Sequence, residues 1–132
     1  MAINNLYDII TNAIDRKLHT VGIFLDLSKA FDTLDHSILL QKLNHCGIRG
    51  ISNDWIKNYL KGRHQFVVYD KTSSVTNTIH CGVPQGSILG PLLFLLYIND
   101  LPKCSSSLDF ILFADDTNII CSNDDQIPLR QS

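Results

Sequence analysis

The sequence predicts an α+β fold in which helices pack on one face of an antiparallel sheet. Three observations support this class. Apolar residues between positions 3 and 18 recur at steps of three and four, as on one face of an amphipathic helix. Residues 21–27 form a continuous apolar run of strand length. Two further pairs of short β-prone runs are joined by polar turns, the pattern of antiparallel hairpins.

Four helices are predicted, and each has sequence signals at its ends. They cover residues 3–18, 36–44, 53–60 and 88–100. Ser52 and Ser87 stand where N-caps are expected for the third and fourth helices, because a serine hydroxyl can accept a hydrogen bond from the first turn. Gly47 and Gly62 follow the second and third helices, as is typical of helix C-termini.

The predicted strands include one that carries an unexpected charge. The strands cover residues 21–27, 65–69, 75–79 and the two runs on either side of Asp115 and Asp116. The 21–27 run has almost no polar alternation, so we expect it to be covered on both faces. Asp26 lies near its end, and a buried carboxylate is costly unless it is paired, hydrogen-bonded or bound to a metal. The simpler alternative is that Asp26 caps the following turn.

Composition limits the function classes. With 132 residues, an apolar share of 45% and a charged share of 18%, the chain is expected to form one globular domain or part of one. The formal net charge of −2 gives no overall basic footprint of a nucleic-acid binder. The four cysteines form no C-x-x-C pair, which argues against a zinc knuckle or a disulfide framework. Without a signal peptide or a long apolar span, we expect a soluble, intracellular protein with no membrane partner; nucleus and cytoplasm stay open.

The adjacent carboxylates Asp115 and Asp116 suggest a cation site. Taken alone, they fit an ordinary acidic turn between two strands. If the strand that ends at Asp26 lies beside this hairpin, three carboxylates converge at one edge, and divalent cations would offset their repulsion. Two such ions form the clamp used for displacement at phosphorus, so both nucleotidyl transfer and phosphodiester hydrolysis remain open.

Three ordered segments resemble the reverse transcriptase palm of non-LTR (LINE-like) retrotransposons of the jockey and CR1 type. They are residues 24–36 (FLDLSKAFDTLDH), 82–91 (GVPQGSILGP) and 113–117 (FADDT). Their order and spacing match as well, and the resemblance covers residues 3–122. It implies RNA-directed DNA polymerase activity, a nucleotidyl transfer with an RNA template, a DNA primer and deoxynucleoside triphosphates as substrates.

The resemblance also implies roles for individual residues. Asp26, Asp115 and Asp116 would be the catalytic carboxylates: Asp26 and Asp115 would bind both Mg²⁺ ions, with Mn²⁺ as a substitute, and Asp116 would be the third acidic residue at the hairpin tip. The carbonyl of Leu27 would complete one ion's coordination. The implied substrate-binding residues are Phe31 beneath the incoming sugar, where its ring would exclude a 2′-hydroxyl, and Gln85 and Gly86 against the incoming nucleotide and template base. Plain core packing is the alternative for Phe31, and a purely structural role is the alternative for Gln85. We expect Asp32 and Asp35 to cap or pair locally.

The resemblance is to part of such an enzyme. We expect residues 1–122 to form a partial reverse transcriptase domain and residues 123–132 an irregular tail. By this resemblance, we expect the sequence to contain no counterpart of the basic fingers region, the primer grip, the thumb or an endonuclease domain. Two hypotheses follow: a polymerase fragment, and a catalytically inactive relic of a retroelement or a binding module. An aspartic protease is excluded because no D-[ST]-G loop is present.

Overall fold

The computed structural model describes residues 2–123. Within this range the helices are α1 (Ala2–Asp15), α2 (His36–His45), α3 (Ile51–Leu60) and α4 (Leu89–Ile98), with a short 3₁₀-helix at Leu101–Cys104. The strands are β1 (His19–Asp26), β2 (Arg63–Gln65), β3 (Val68–Tyr69), β4 (Thr72–Ser73), β5 (Asn77–Ile79), β6 (Asp109–Phe113) and β7 (Asp116–Asn123). All strand pairs are antiparallel, so the predicted α+β class is confirmed.

The chain divides into two compact units. The first unit consists of the residues up to Ser28 together with those from Asp100 onward, and the second unit consists of Lys29–Asn99. The predicted 123–132 tail lies outside the described residues except for its first position.

The first unit is a three-stranded sheet with one helix packed on it. The strand order is β1-β7-β6, so β7 is central, and α1 packs against β1 and β6. The buried side chains of this unit come from the helix and from the two strands of the hairpin: Ala13, Ile111, Thr117 and Ile120. Ile111 and Ile120 lie on the same face of the sheet according to the strand register.

The prediction that the first strand is covered on both faces is wrong. All eight residues of β1 are exposed, and Phe24 keeps 68% of its surface accessible. The reason is that α1 lies more over β6, at the opposite edge of the sheet, than over β1, which it leaves largely uncovered; a continuous apolar run only indicates that a strand can be buried. Asp26 is therefore exposed as well, and the cost of burying its carboxylate does not arise.

The second unit is built on three helices. α2 packs against both α3 and α4, and the core between them is aliphatic and aromatic: Leu34, Leu39, Leu43, Leu60, Leu93 and Phe94. Asp35 caps α2, because its carboxylate accepts hydrogen bonds from the backbone N–H groups of Ser37 and Ile38. Gly47 has a φ of 94° directly after α2, which confirms the predicted stop.

The start of α3 differs from the prediction. The helix begins at Ile51 with Gly50 as its N-cap, so Ser52 lies inside the first turn and does not cap the helix. The start is fixed by a tertiary contact instead. The side-chain amide of Asn53 donates hydrogen bonds to the carbonyls of Leu40 and Ile48, at 3.0 and 3.1 Å. These bonds join α3 to α2 and to the connection between them.

α4 begins at Leu89 with Ile88 in the N-cap position, one residue later than predicted, so Ser87 precedes the N-cap but still makes a capping hydrogen bond. The hydroxyl of Ser87 accepts a hydrogen bond from the N–H of Gly90 at 3.0 Å, the contact expected of an N-cap three residues earlier. Gly90 is required here, because a Cβ at this position would lie 2.8 Å from the carbonyl oxygen of Pro84. The helix ends at Ile98, two residues earlier than predicted.

The predicted hairpin between residues 65 and 79 forms, but in two parts. β2 pairs with β5, and β3 pairs with β4. Two residues (66–67) separate β2 from β3, whereas three residues (74–76) separate β4 from β5. This extra residue interrupts the pairing as a bulge does. Asp70 and Lys71 form the two-residue turn, and both have positive φ, as a type I′ hairpin requires.

Candidate active site

The two adjacent aspartates lie at the end of a tight hairpin, as predicted. β6 and β7 pair in a register that places Phe113 opposite Asp116, so Ala114 and Asp115 form a two-residue turn. Ala114 has a φ of 53°, whereas the φ of Asp115 is not positive. This combination matches a type II′ turn, whose first central residue is usually glycine. Asp115 is half-buried in the turn, and Asp116 is the exposed first residue of β7.

The third predicted carboxylate joins this hairpin across the neighbouring strand. In the register between β1 and β7, Asp26 is directly opposite Asp116. Directly opposite residues of an antiparallel pair point to the same face, with their Cβ atoms about 5 Å apart. The sheet therefore brings Asp26 and Asp116 together at one end, with Asp115 next to them in the turn. The expected convergence of the first strand with the hairpin is confirmed.

The electrostatics of this pair are unfavourable in the bare protein. Like charges directly opposite each other destabilise a sheet. Among residues 2–123, no basic side chain forms an ion pair with Asp26 or Asp116, and neither carboxylate has a hydrogen-bond partner. The same part of the chain contains no group of three or more His, Cys, Asp or Glu residues placed to hold a metal ion. The carboxylates are hard oxygen ligands of the kind that Mg²⁺ prefers, but they do not form a ready-made cage.

An open cleft of about 780 Å³ lies beside the paired carboxylates, within the first unit. The polar residues that line it are Asn4, Asp26, Asp116 and Asn118. Its apolar side is formed by α1 and by exposed side chains of the sheet: Ile3, Leu6, Phe24, Leu25 and Phe113. The carboxylates are thus accessible to a ligand of small-molecule size.

The residues predicted to bind substrate lie in the second unit. The half-buried ring of Phe31 packs against Phe94, with the ring centroids 4.7 Å apart. Gln85 is exposed, and its side-chain amide nitrogen donates a hydrogen bond to the carboxylate of Asp32 at 3.0 Å. Gly86 has a φ of 76°, and a Cβ added there would meet nothing within 4 Å. Backbone conformation, not crowding, therefore favours glycine at this position.

The loop that carries Gln85 is held against the segment that carries Phe31. The N–H of Val83 donates to the carbonyl of Phe31, and the N–H of Gly82 donates to the carbonyl of Leu34, both at 2.7 Å. The Nε2 of His36 donates to the carbonyl of Gly82, also at 2.7 Å. The two segments are in such close contact that a Cβ on Gly82 would lie 2.6 Å from a backbone oxygen of Asp32. Phe31 and Gln85 are consequently parts of one hydrogen-bonded structure.

Sequence reasoning missed these connections. Asp32 was expected to pair locally, but it pairs with Gln85, 53 residues away. No local pattern indicates such a contact. Asp35 does act locally: hydrogen bonds from the Ser37 hydroxyl and then from the N–H groups of Ile38 and Ser37 lower the pKa of its carboxyl.

Other possible site types receive no support from the described residues. The cysteines at 46, 81, 104 and 121 are free thiols. No helix among residues 2–123 has the length and apolar character that crossing a membrane requires.

Comparison with known proteins identifies the family. A family model described as reverse transcriptase (RNA-dependent DNA polymerase) matches residues 2–131. The chain is 37% identical over 111 residues to the probable RNA-directed DNA polymerase from transposon X-element of Drosophila melanogaster, covering 81% of this chain and 12% of that protein. It is 32% identical over 115 residues to the RNA-directed DNA polymerase from mobile element jockey of the same species, covering 82% and 12%.

A third relative is the retrovirus-related Pol polyprotein from type-1 retrotransposable element R1 of Bradysia coprophila. It is 30% identical over 118 residues, which are 86% of this chain and 11% of the relative. The chain thus spans a small part of the length of the curated relatives that it matches. The resemblance to non-LTR retrotransposons noted in the sequence is confirmed, and the chain belongs to the reverse transcriptase family.

Proposed function

We propose that this chain is the palm of an RNA-directed DNA polymerase, in which residues 1–122 form a partial reverse transcriptase domain. The reaction is nucleotidyl transfer from a deoxynucleoside triphosphate to a DNA primer that is paired with an RNA template. The observation that supports it best is the pairing of Asp26 with Asp116 beside the Asp115 turn, in a chain of the reverse transcriptase family. Phosphodiester hydrolysis would use the same carboxylates, and family membership favours polymerisation.

The carboxylates of Asp26, Asp115 and Asp116 and the carbonyl of Leu27 would hold Mg²⁺, or Mn²⁺ in its place. Bound there, the ions would supply positive charge to the triphosphate and lower the pKa of the attacking primer hydroxyl. The chemistry of the ligands supports this proposal, because all of them are hard oxygen atoms. In addition, the negatively charged carboxylates of Asp26 and Asp116 face each other and have no basic partner among the described residues.

The protein's own groups would position the substrates. The ring of Phe31 is held on one side by Phe94, and its backbone is held by Val83, so it would act as a firm wall against the sugar. A firm wall discriminates by steric clash, and a 2′-hydroxyl is the group that distinguishes ribonucleotides from deoxynucleotides. Gln85 would contact the incoming nucleotide, and the bare backbone of Gly86 would allow the template base to approach closely.

The test is incorporation of deoxynucleotides on a poly(rA)/oligo(dT) template-primer in the presence of Mg²⁺. The unmutated chain is compared with the double variant Asp115→Ala, Asp116→Ala. Asp109→Ala is the matched control, because Asp109 lies on the same face of the same hairpin at its other end. We expect incorporation by the unmutated chain and the control, and a loss to background in the double variant.

A correctly folded but inactive unmutated chain would contradict autonomous polymerase activity. Family membership would be unaffected by that result. The comparisons do not favour the alternative of an inactive relic or binding module.

A further inference from the structure

Two stacked aromatic rings lie on α3, and an arginine from the start of β2 lies beside them. The rings of Trp55 and Tyr59 are nearly parallel, at 8°, with centroids 5.7 Å apart. The guanidinium carbon of Arg63, the first residue of β2, lies 5.6 Å from the centroid of Tyr59. Trp55 nevertheless keeps 57% of its surface exposed. We call these three residues the aromatic ladder.

The aromatic ladder lies in the basic part of an acidic chain. The second unit, Lys29–Asn99, contains seven Lys or Arg and four Asp, whereas the rest of the chain contains four Lys or Arg and nine Asp. Four of the basic residues lie within residues 49–63, which contain a single acidic residue, Asp54. The overall net charge of −2 therefore hides a local excess of positive charge around α3.

A cleft continues from the aromatic ladder. It has a volume of about 880 Å³ and lies within the second unit. Its walls include Lys29, Arg63, His64 and His80, and Asp32 is the one acidic residue among its described lining residues. Arg63 therefore belongs both to the ladder and to the cleft. Gln85 lies on the wall of the same cleft.

We propose that an unpaired stretch of RNA binds across the aromatic ladder and continues into this cleft. A base would stack on the exposed ring of Trp55, and Arg63 with the neighbouring cations would contact the phosphates. Aromatic rings combined with cations are the general means by which proteins bind single strands without reading their sequence. The inference takes RNA as the ligand from the proposed function, and it does not depend on the chemistry at the carboxylates.

The first test uses the protein's only tryptophan as its own reporter. The fluorescence of Trp55 is followed while a short oligouridylate is added to the unmutated chain in EDTA, which removes the ions needed for catalysis. We expect saturable quenching that weakens as salt is added, because a base stacks on the ring and phosphates contact the cations. Inorganic polyphosphate should compete with the RNA but should not quench by itself, and fully paired RNA should quench far less.

Variants then separate stacking from charge, with affinity measured by the anisotropy of a labelled oligouridylate. Trp55→Ala should weaken binding about tenfold. Tyr69→Ala is the matched control, because Tyr69 is an 83% exposed aromatic residue of the same unit that lies outside the aromatic ladder. Its removal should leave the affinity for RNA unchanged. Arg63→Gln should weaken binding and reduce the slope of log K against log salt by about one, whereas Lys71→Gln should change neither.

Three results would overturn the proposal. The first is the absence of quenching, and the second is an unchanged affinity of Trp55→Ala for the RNA. The third is a tryptophan signal that changes with protein concentration and not with RNA, which would mean that the aromatic ladder binds a second copy of the chain. Circular dichroism of each variant establishes that it is folded. Because no incorporation is measured, failure of the polymerase assay and failure of this proposal are separate outcomes.

Discussion

Replacement of Thr117 by valine should stabilise the protein. Thr117 is 2% exposed, and its hydroxyl has no hydrogen-bond partner among the described residues. A buried hydroxyl without a partner costs about 1–3 kcal/mol. Valine has nearly the same shape and a similar preference for strands, so Thr117→Val removes the cost without opening a cavity. We expect the free energy of unfolding to rise by about 1–2 kcal/mol.

Urea denaturation monitored by circular dichroism measures this change, and a thermal melt should show a rise of about 4 °C for each kcal/mol. Thr117→Ser is the matched control. It keeps the hydroxyl and removes one buried methyl group, so it should lower the free energy of unfolding by about 1 kcal/mol. If valine destabilised the protein and serine did not, the hydroxyl would have a hydrogen-bond partner, and the reasoning from an unpaired group would be refuted.

Three further changes test other parts of the structure. Asp116→Asn removes the repulsion from Asp26, so in EDTA it should raise the free energy of unfolding by at most about 1 kcal/mol. The same change should reduce the stabilisation of the protein by Mg²⁺. A lower free energy of unfolding in EDTA would contradict the pairing of these two carboxylates. Asp35→Ala should lower the melting temperature at neutral pH. Because hydrogen bonds from Ser37 and Ile38 lower the pKa of Asp35 in the folded protein, its stabilising effect is present above the pKa of the unfolded chain and disappears as the pH falls through the folded pKa. A pH-independent difference would argue against this cap. Gly82→Ala should lower the free energy of unfolding by about 1–3 kcal/mol more than Gly86→Ala. Both glycines have positive φ, but only at Gly82 would the new Cβ lie 2.6 Å from a backbone oxygen. Equal losses in urea denaturation would show that the loop can move away.

The features predicted correctly from the sequence are mainly local ones. The hairpin at Asp115 and Asp116 follows from two β-prone runs joined by a short turn, and the end of α2 follows from Gly47. The side-by-side position of Asp26 and Asp116 was a conditional expectation that the strand register confirms. The roles of these residues in metal binding and catalysis remain proposals.

The features missed depend on distant parts of the chain. The exposure of β1 could not be predicted, because an apolar run does not reveal which surfaces the rest of the protein covers. The helix start at Ile51 is fixed by bonds from Asn53 to a different helix and its connection, and these override the capping preference of Ser52. The bond between Gln85 and Asp32 spans 53 residues and leaves no periodic or compositional trace.

The turn at Ala114 has a consequence for how the acidic tip keeps its shape. A residue with a Cβ pays about 1 kcal/mol to adopt a φ of 53°, a cost that glycine would avoid. Alanine in return has far fewer conformations available in the unfolded chain and in a frayed hairpin. The tip is therefore held in one arrangement by the strand pairing next to it. Asp115 takes its direction from the backbone, because its carboxylate makes no hydrogen bond or ion pair within residues 2–123. A glycine at position 114 would remove the conformational strain of the turn, and it would at the same time allow the Asp115 carboxylate to adopt more orientations.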